Sequence, residues 1–345
     1  MISKTVDLCD RLGVAYPVVQ AGLGGGLARA ELAAAVSRAG GLGTVGVLAR
    51  PEAYRAEIGR AKELAGNARI AANLLLPVIG RGHVEACLTE RVPVVALFFG
   101  FDASLVRALH DAGTFVLHQI GTREQARRAL ADGADGLIVQ GAGAGGHVLA
   151  TEPHASLLPE IAERARDRPV LAAGGIHDRD SALQARALGA NGVSVGTRFL
   201  LTHESHAHDE YKARLLRARQ TLVTLLFGVG WHAPHRVVPN AATERWCAND
   251  PLGPKAIRAI NRMTESLLRA MPPKGVAAFV KSQRVERPFF SPMALVRGMD
   301  ARLAEVTPLY AGECVGRIHQ LAHAADVVGE LAAAFARGVG APGRP

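Results

Sequence analysis

The sequence is poor in aromatic residues, which make up 5% of the 345 residues and include two tryptophans. The Phe and Tyr residues are not interleaved with basic ones, as they are on many nucleic-acid-binding surfaces. The net charge of +9 comes from scattered residues and not from basic runs. We therefore predict a solvated surface that is biased towards anionic ligands, and no nucleic-acid partner.

Cysteine is also scarce, and no C-x-x-C spacing occurs. We therefore expect neither a disulfide framework nor a zinc site, and we predict reduced thiols in a cytoplasmic protein. The N-terminus lacks the apolar segment of a signal peptide. No apolar run is long enough to cross a bilayer, so we predict no membrane partner.

What the sequence does contain is a regular alternation of short apolar runs with helix-like segments between residues 17 and 200. Continuous apolar strands at this spacing favour βα units around a parallel sheet. A doubly wound sheet is an alternative, but eight units favour an α/β fold of the (β/α)8 TIM-barrel type. The predicted strands are 17–21, 43–47, 69–75, 93–98, 114–119, 136–140, 169–173 and 192–196.

The pattern changes after the eighth strand. We predict a mainly helical insertion or lid over residues 208–300, with 1–207 and 301–345 forming the barrel domain. Within the insertion, 208–227 and 255–270 are predicted helices and 231–236 a loop. A further apolar helix is predicted over 318–335, and the tail 338–345 is expected to fray.

A glycine-containing turn ends each of the seventh and eighth strands, at Gly174-Gly175 and at Val195-Gly196-Thr197. Bare backbone N–H groups at these two strand ends form a phosphate site in many barrels, and we favour that over two plain tight turns.

The stretch 136–147 runs from a buried strand through Gln140 and four glycines to His147. His147 is either a helix cap or, as we favour, a general base or hydrogen-bond donor to a substrate anion.

Other strand ends carry weaker candidates. The loop 20–26 is glycine-rich without a clean dinucleotide fingerprint, and it could approach a flat ring. Asn73 either ties down a turn or bonds a ligand. His118 and Gln119 could line the same mouth. The three histidines at 203, 206 and 208 favour a polar turn over a metal site, so we predict no metal.

Taken together, these segments resemble the nitronate monooxygenase family, formerly called 2-nitropropane dioxygenases. The matching segments are Pro17-Val-Val-Gln-Ala21, Gly40-Gly-Leu-Gly43, Asn73, Gln140-Gly141, Ala144-Gly-Gly-His147, Ala172-Ala-Gly-Gly-Ile176, Val195-Gly-Thr-Arg-Phe199, Ala311-Gly312 and Val315-Gly316. The resemblance implies an FMN enzyme on a TIM barrel that oxidises alkyl nitronates, or nitroalkanes, with O2 to a carbonyl compound and nitrite.

The resemblance also implies a role for each motif. His147 would face the flavin and act on the substrate. The cofactor-binding residues would be Ala21, Gly22, Leu23, Asn73, Gln140, Gly145, Gly146, Gly174, Gly175, Ser194, Val195, Gly196 and Thr197. Where the family usually has Ala-Pro-Met, Glu and Arg-Gly, this chain has Ala21-Gly22-Leu23, Gly143 and Val148-Leu149. The native substrate therefore stays open.

Two alternatives remain at this point. The first is an NAD(P)H-dependent flavin reductase of an enoyl thioester or a quinone, which the shared histidine motif does not separate from a monooxygenase. The second is a non-redox phosphate-binding barrel such as an isomerase or aldolase, although no lysine stands at a predicted strand end for a Schiff base. The use of NAD(P)H and a homodimeric state are left open.

Overall fold

The computed structural model describes residues 8–264 and 273–336. Within these residues the strands are β1 (Val18–Gln20), β2 (Gly43–Val45), β3 (Ile70–Leu75), β4 (Val94–Phe98), β5 (Phe115–Ile120), β6 (Gly136–Gln140), β7 (Gly146–His147), β8 (Val170–Ala173), β9 (Gly192–Val195), β10 (Leu222–Thr224), β11 (His235–Val238) and β12 (Leu309–Tyr310). Eight of them form one parallel sheet in the order β1-β9-β8-β6-β5-β4-β3-β2.

The sheet closes on itself through the residue that precedes β2. Leu42 donates its N–H to the carbonyl of Val18 and accepts from the N–H of Gln20, both at 2.9 Å. These bonds join the two outer strands of the sheet, β1 and β2. The predicted (β/α)8 barrel is therefore confirmed, and all eight predicted strand positions contain a barrel strand.

Helices connect the strands and cover the barrel. The α-helices are α1 (Leu8–Leu12), α2 (Ala30–Arg38), α3 (Pro51–Ala65), α4 (Arg81–Thr89), α5 (Ala103–Asp111), α6 (Arg123–Ala131), α7 (His154–Ala165), α8 (Arg179–Ala187), α9 (Thr197–Leu200), α10 (Asp209–Arg217), α11 (Ala241–Trp246), α12 (Lys255–Met263), α13 (Pro273–Ser282) and α14 (Ala324–Ala332). Side chains of Asp102, Thr122 and Asp178 cap α5, α6 and α8, which fixes where these helices begin.

Side chains alternate between the inside and the outside of the barrel, as strand geometry requires. The inward layer contains Ala71, Leu117 and Ile138, and α1 closes the N-terminal end with Leu8 and Leu12. The next inward positions along these strands, two residues further on, are the polar residues Asn73, Gln119 and Gln140. Polar groups are therefore collected at the C-terminal end of the barrel.

The insertion contains more sheet than the sequence indicated. β10 and β12 each pair antiparallel with β11, which also pairs with β7. The predicted helix 208–227 is wrong beyond Arg217, because Thr221, Val223 and Thr224 are β-branched and favour the extended chain that forms β10. The predicted loop 231–236 is wrong at its end, where β11 begins at His235.

Two other predicted helices have different bounds. The C-terminal helix begins at Ala324 and not at 318, because the carboxylate of Glu204 accepts the N–H of Ala324 at 3.1 Å. The helix predicted over 255–270 is observed as α12, which ends at Met263. Residues 265–270 of the predicted helix lie outside the described residues, and so does the tail 338–345. The barrel and insertion bounds stay a proposal. In the described ranges, no helix is long and apolar enough to cross a membrane.

Candidate active site

A cavity of about 1590 Å³ opens at the C-terminal ends of the barrel strands and extends under the insertion. The sequence-predicted site residues that line it are Ala21, Gly22, Leu23, Gln140, Gly145, Gly146, His147, Gly174, Gly175, Ser194, Val195, Gly196 and Thr197. Asn73 is the one predicted site residue that does not line the cavity. The structure thus brings the ends of strands β1, β6, β8 and β9 together.

Asn73 lies directly beneath the loop that follows β1. Its Nδ2 donates to the carbonyl of Ala96 at 3.2 Å, whereas its Oδ1 is buried and has no partner among the described residues. A Cβ atom at Gly22 would lie 2.4 Å from Cγ of Asn73, so only glycine lets the loop come this close. Asn73 therefore supports the loop backbone and keeps one acceptor unused.

The turns after β8 and β9 line the cavity beside this loop, since β9 pairs with β1 and β8 with β9. Gly174 and Gly175 have φ values of +99° and +77°, a conformation that residues with a Cβ rarely adopt. A Cβ atom at Gly175 would meet nothing within 4 Å, so the backbone there borders open space. The buried Oγ of Ser194 has no hydrogen-bond partner within the described part of the chain. Thr197 differs, because its Oγ1 accepts the N–H of Gly312 at 2.9 Å.

Gln140 holds the glycine-rich loop in place. Its Nε2 donates to the carbonyl of His147 at 3.0 Å, and its Oε1 accepts the N–H of Leu149 at 2.8 Å. Both ends of the amide are therefore engaged by the chain itself. Gln140 borders the cavity, but its hydrogen bonds position the segment that carries His147.

His147 lies on β7, which pairs with β11 in the register His147 to His235. Its ring stacks on the indole of Trp231, with the centroids 3.7 Å apart and the planes 20° apart. Its Nε2 is buried without a partner among the residues that the structure describes. Burial, and secondarily the nearby His235, lowers the pKa of His147 well below its usual value. The imidazole is therefore neutral near pH 7.

The aromatic residues around His147 were missed in the sequence. Trp231, Phe99, Tyr310 and His235 all have ring centroids within 6.1 Å of the His147 ring. They come from the β4 end, the insertion and β12, which are far apart along the chain. In a sequence so poor in aromatics, the placement of one of its two tryptophans in a glycine-rich segment was the available signal.

Of the remaining candidates from the sequence, only Gln119 lies at the cavity. Gln119 lines the cavity, whereas the adjacent His118 points to the outer face, where Nε2 bonds the carbonyl of Gly100 at 3.0 Å and the ring stacks on Phe101. His208 caps α10 by accepting the N–H of Glu210. Within the ranges described, no group of three His, Cys, Asp or Glu side chains is arranged to hold a metal ion.

Comparison with known proteins identifies the family. The sequence profile described as nitronate monooxygenase matches residues 6–81 and 71–333. This chain belongs to the nitronate monooxygenase family. The predicted resemblance is thereby confirmed, and membership favours oxidoreductase chemistry on a small molecule over the isomerase or aldolase alternative.

The names of individual relatives point to different activities. A Mycobacterium tuberculosis protein, 34% identical over 247 residues that cover 69% of this chain and 67% of its own, is named a 5-hydroxy-7a-methyl-1-oxo-octahydro-1H-indene-4-carboxyl-CoA dehydrogenase. A probable nitronate monooxygenase of Staphylococcus aureus is 28% identical and covers 62% of this chain and 73% of its own. The structure of nitroalkane oxidase from Streptomyces ansochromogenes superposes with a TM-score of 0.73 at 28% identity. The superposition covers 96% of this chain and 98% of the oxidase chain.

Proposed function

We propose that this protein is an FMN-dependent oxidoreductase of the nitronate monooxygenase type, which oxidises alkyl nitronates or nitroalkanes with O2 to a carbonyl compound and nitrite. The observation that carries the proposal is the position of His147. A neutral, partly buried imidazole lines the same cavity as the glycine-containing turns after β8 and β9.

The residues present fit a flavin mononucleotide. Oγ of Ser194, which lines the cavity, is a buried polar atom without a partner in the described chain, and such an atom normally bonds something. The backbone at Gly175 borders open space at the turn where a phosphate would be held. We assign the phosphate to Gly174, Gly175 and the β9 turn, and the ring to the loop after β1. When bound, FMN would supply the electron transfer between substrate and oxygen.

His147 would act on the proton of the substrate. A neutral imidazole can accept the proton of a nitroalkane C–H bond, and it can hold an anionic nitronate once it carries that proton. In an apolar cavity a negative charge beside the ring favours the protonated imidazole. The low pKa of the free site is therefore compatible with proton transfer in the presence of a substrate that becomes an anion.

A second candidate is a reductase or dehydrogenase of acyl thioesters, and the cavity supports it. Its volume exceeds the roughly 300–1,000 Å³ of a typical small-molecule site, so it could hold FMN and an extended substrate together. The outer part is lined by apolar residues of the insertion such as Val280 and Met293, with Arg50 and Lys281 nearby. Relatives from two organisms, at 34% and 36% identity, are named for a carboxyl-CoA substrate.

The deciding experiments use purified protein. We expect the absorbance spectrum of a bound flavin, and release of nitrite when ethyl nitronate is added in air. Protein that carries no flavin and does not bind added FMN would refute the cofactor assignment. If NADPH bleaches the flavin rapidly without oxygen and ethyl nitronate yields no nitrite, the reductase is the correct function.

A further inference from the structure

The side chain of His235 lies directly opposite His147 in the small sheet. Residues that face each other across an antiparallel pair project from the same side of the sheet. The two ring centroids are 5.4 Å apart, and His235 is fully buried. No direct hydrogen bond joins the rings, because Nε2 of each is without a partner among the described residues, and the separation leaves room for one bridging water.

The tautomer of His235 is set by the backbone. Its Nδ1 lies 2.9 Å from the carbonyl oxygen of Ala233, which can only accept, so Nδ1 carries the hydrogen. Nε2 is then a bare lone pair. It is buried and has no partner within residues 8–264 and 273–336. A buried acceptor beside a proposed base can take up a proton.

We propose that His235 is a second proton site of the active centre, which receives through His147 the proton removed from the substrate. This inference rests on the proposed function. The proton leaves the carbon of a nitroalkane, the electron pair of the C–H bond stays on the substrate as a nitronate, and the proton passes to His147. His147 then gives a proton to Nε2 of His235 and is neutral again. Release to solvent after product leaves completes the cycle.

The surroundings of the two rings favour His235 as the resting place of the proton. The titratable groups that face it are His147 on β7, Tyr310 on β12 and His232 in the preceding loop. Burial, partly offset by the bond to Ala233, lowers the pKa of His235 to about 4, whereas nothing offsets the effect of burial on the pKa of His147. Once protonated, His235 keeps its bond to Ala233, so its charge is partly stabilised.

The first test does not depend on activity. In protein with 15N-labelled histidine at pH 7.5, the ring nitrogens of His235 should show a neutral ring with the hydrogen on Nδ1, assigned by loss of its signals in His235→Asn. The same tautomer should persist in His147→Gln. A hydrogen on Nε2 would overturn the proposal, because that nitrogen could then accept no proton.

The second test compares substrates that do and do not need deprotonation. His235→Asn can still offer an amide N–H to Ala233 but holds no proton; His235→Gln serves if the first variant does not fold. In the variant we expect nitroethane turnover to fall roughly tenfold or more. General base catalysis contributes about 100-fold or more, and loss of the second proton site should remove part of that. Preformed ethyl nitronate needs no deprotonation and should be oxidised at the wild-type rate.

The matched control is His118→Asn, since His118 is also buried with one unpartnered ring nitrogen but points away from the cavity. It should leave the ratio of the two rates unchanged. An equal fall on both substrates in His235→Asn would overturn the relay while nitronate oxidation stands. If the wild type oxidises neither substrate, the proposed function fails, and the tautomer of His235 still decides whether it can accept a proton.

Discussion

Replacing Gln140 by methionine should lower the free energy of unfolding, because the glutamine amide is the support of the loop that carries His147. Methionine has nearly the same length but offers neither donor nor acceptor. The carbonyl of His147 and the N–H of Leu149 would lose partners at 3.0 and 2.8 Å. A fully buried group left unpaired costs about 1–3 kcal/mol, and because both groups are only partly buried, Gln140→Met should lose about 1–3 kcal/mol in total.

The loss is measured by urea unfolding of flavin-free protein, followed by circular dichroism. The control is Gln119→Met, at an inward position of the neighbouring strand. Gln119 lines the same cavity, and its side chain makes no hydrogen bond that the structure describes, so its replacement should change stability by less than about 0.5 kcal/mol. Equal effects of the two changes, or a loss under 0.5 kcal/mol in Gln140→Met, would refute the reasoning.

Three further predictions concern the same site. His147→Asn should retain the flavin and release nitrite from neutral nitroalkanes about 100-fold more slowly, while its rate on preformed nitronates stays unchanged. Unchanged rates on both substrates would show that His147 has no part in the mechanism. Gly145→Ala should lower the thermal midpoint of unfolding, because the new Cβ would lie 2.4 Å from the backbone N of Gly312. Gly143→Ala is the control and should be tolerated, because its Cβ would approach only the side chain of Glu313, which can move. Burial lowers the pKa of His235 from 6.5 to about 4, so the unfolded chain binds a proton in this interval that the fold does not. Stability should therefore fall by about 3 kcal/mol as pH drops from 6.5 to 4, and His235→Asn should remove that share of the slope in urea titrations.

The barrel could be predicted from the sequence because its determinants are local. Each strand is a short apolar run bounded by turn residues, and the glycine-containing turns show where strands β8 and β9 end. Position along such a strand also determines which side chains face the barrel interior. This is why the ends of β6, β8 and β9 were expected to meet, as they do in the structure.

What could not be predicted depends on contacts between distant segments. β11 forms because its edge meets β7, about 90 residues earlier, and nothing in 231–236 alone signals that pairing. The start of α14 is set by the carboxylate of Glu204, far from it in sequence. The use of Gln140 to hold the loop, and not only to border the cavity, likewise required the positions of His147 and Leu149.

The pairing of β7 with β11 has a consequence for engineering. The insertion cannot be exchanged between relatives as if it were a detachable cover, since one of its strands is the surface on which the His147 backbone rests. A chimera that transplants only the residues above the cavity, such as α13, should keep that support. One that also replaces 222–238 would have to reproduce the strand register, the stacked indole and the second imidazole together.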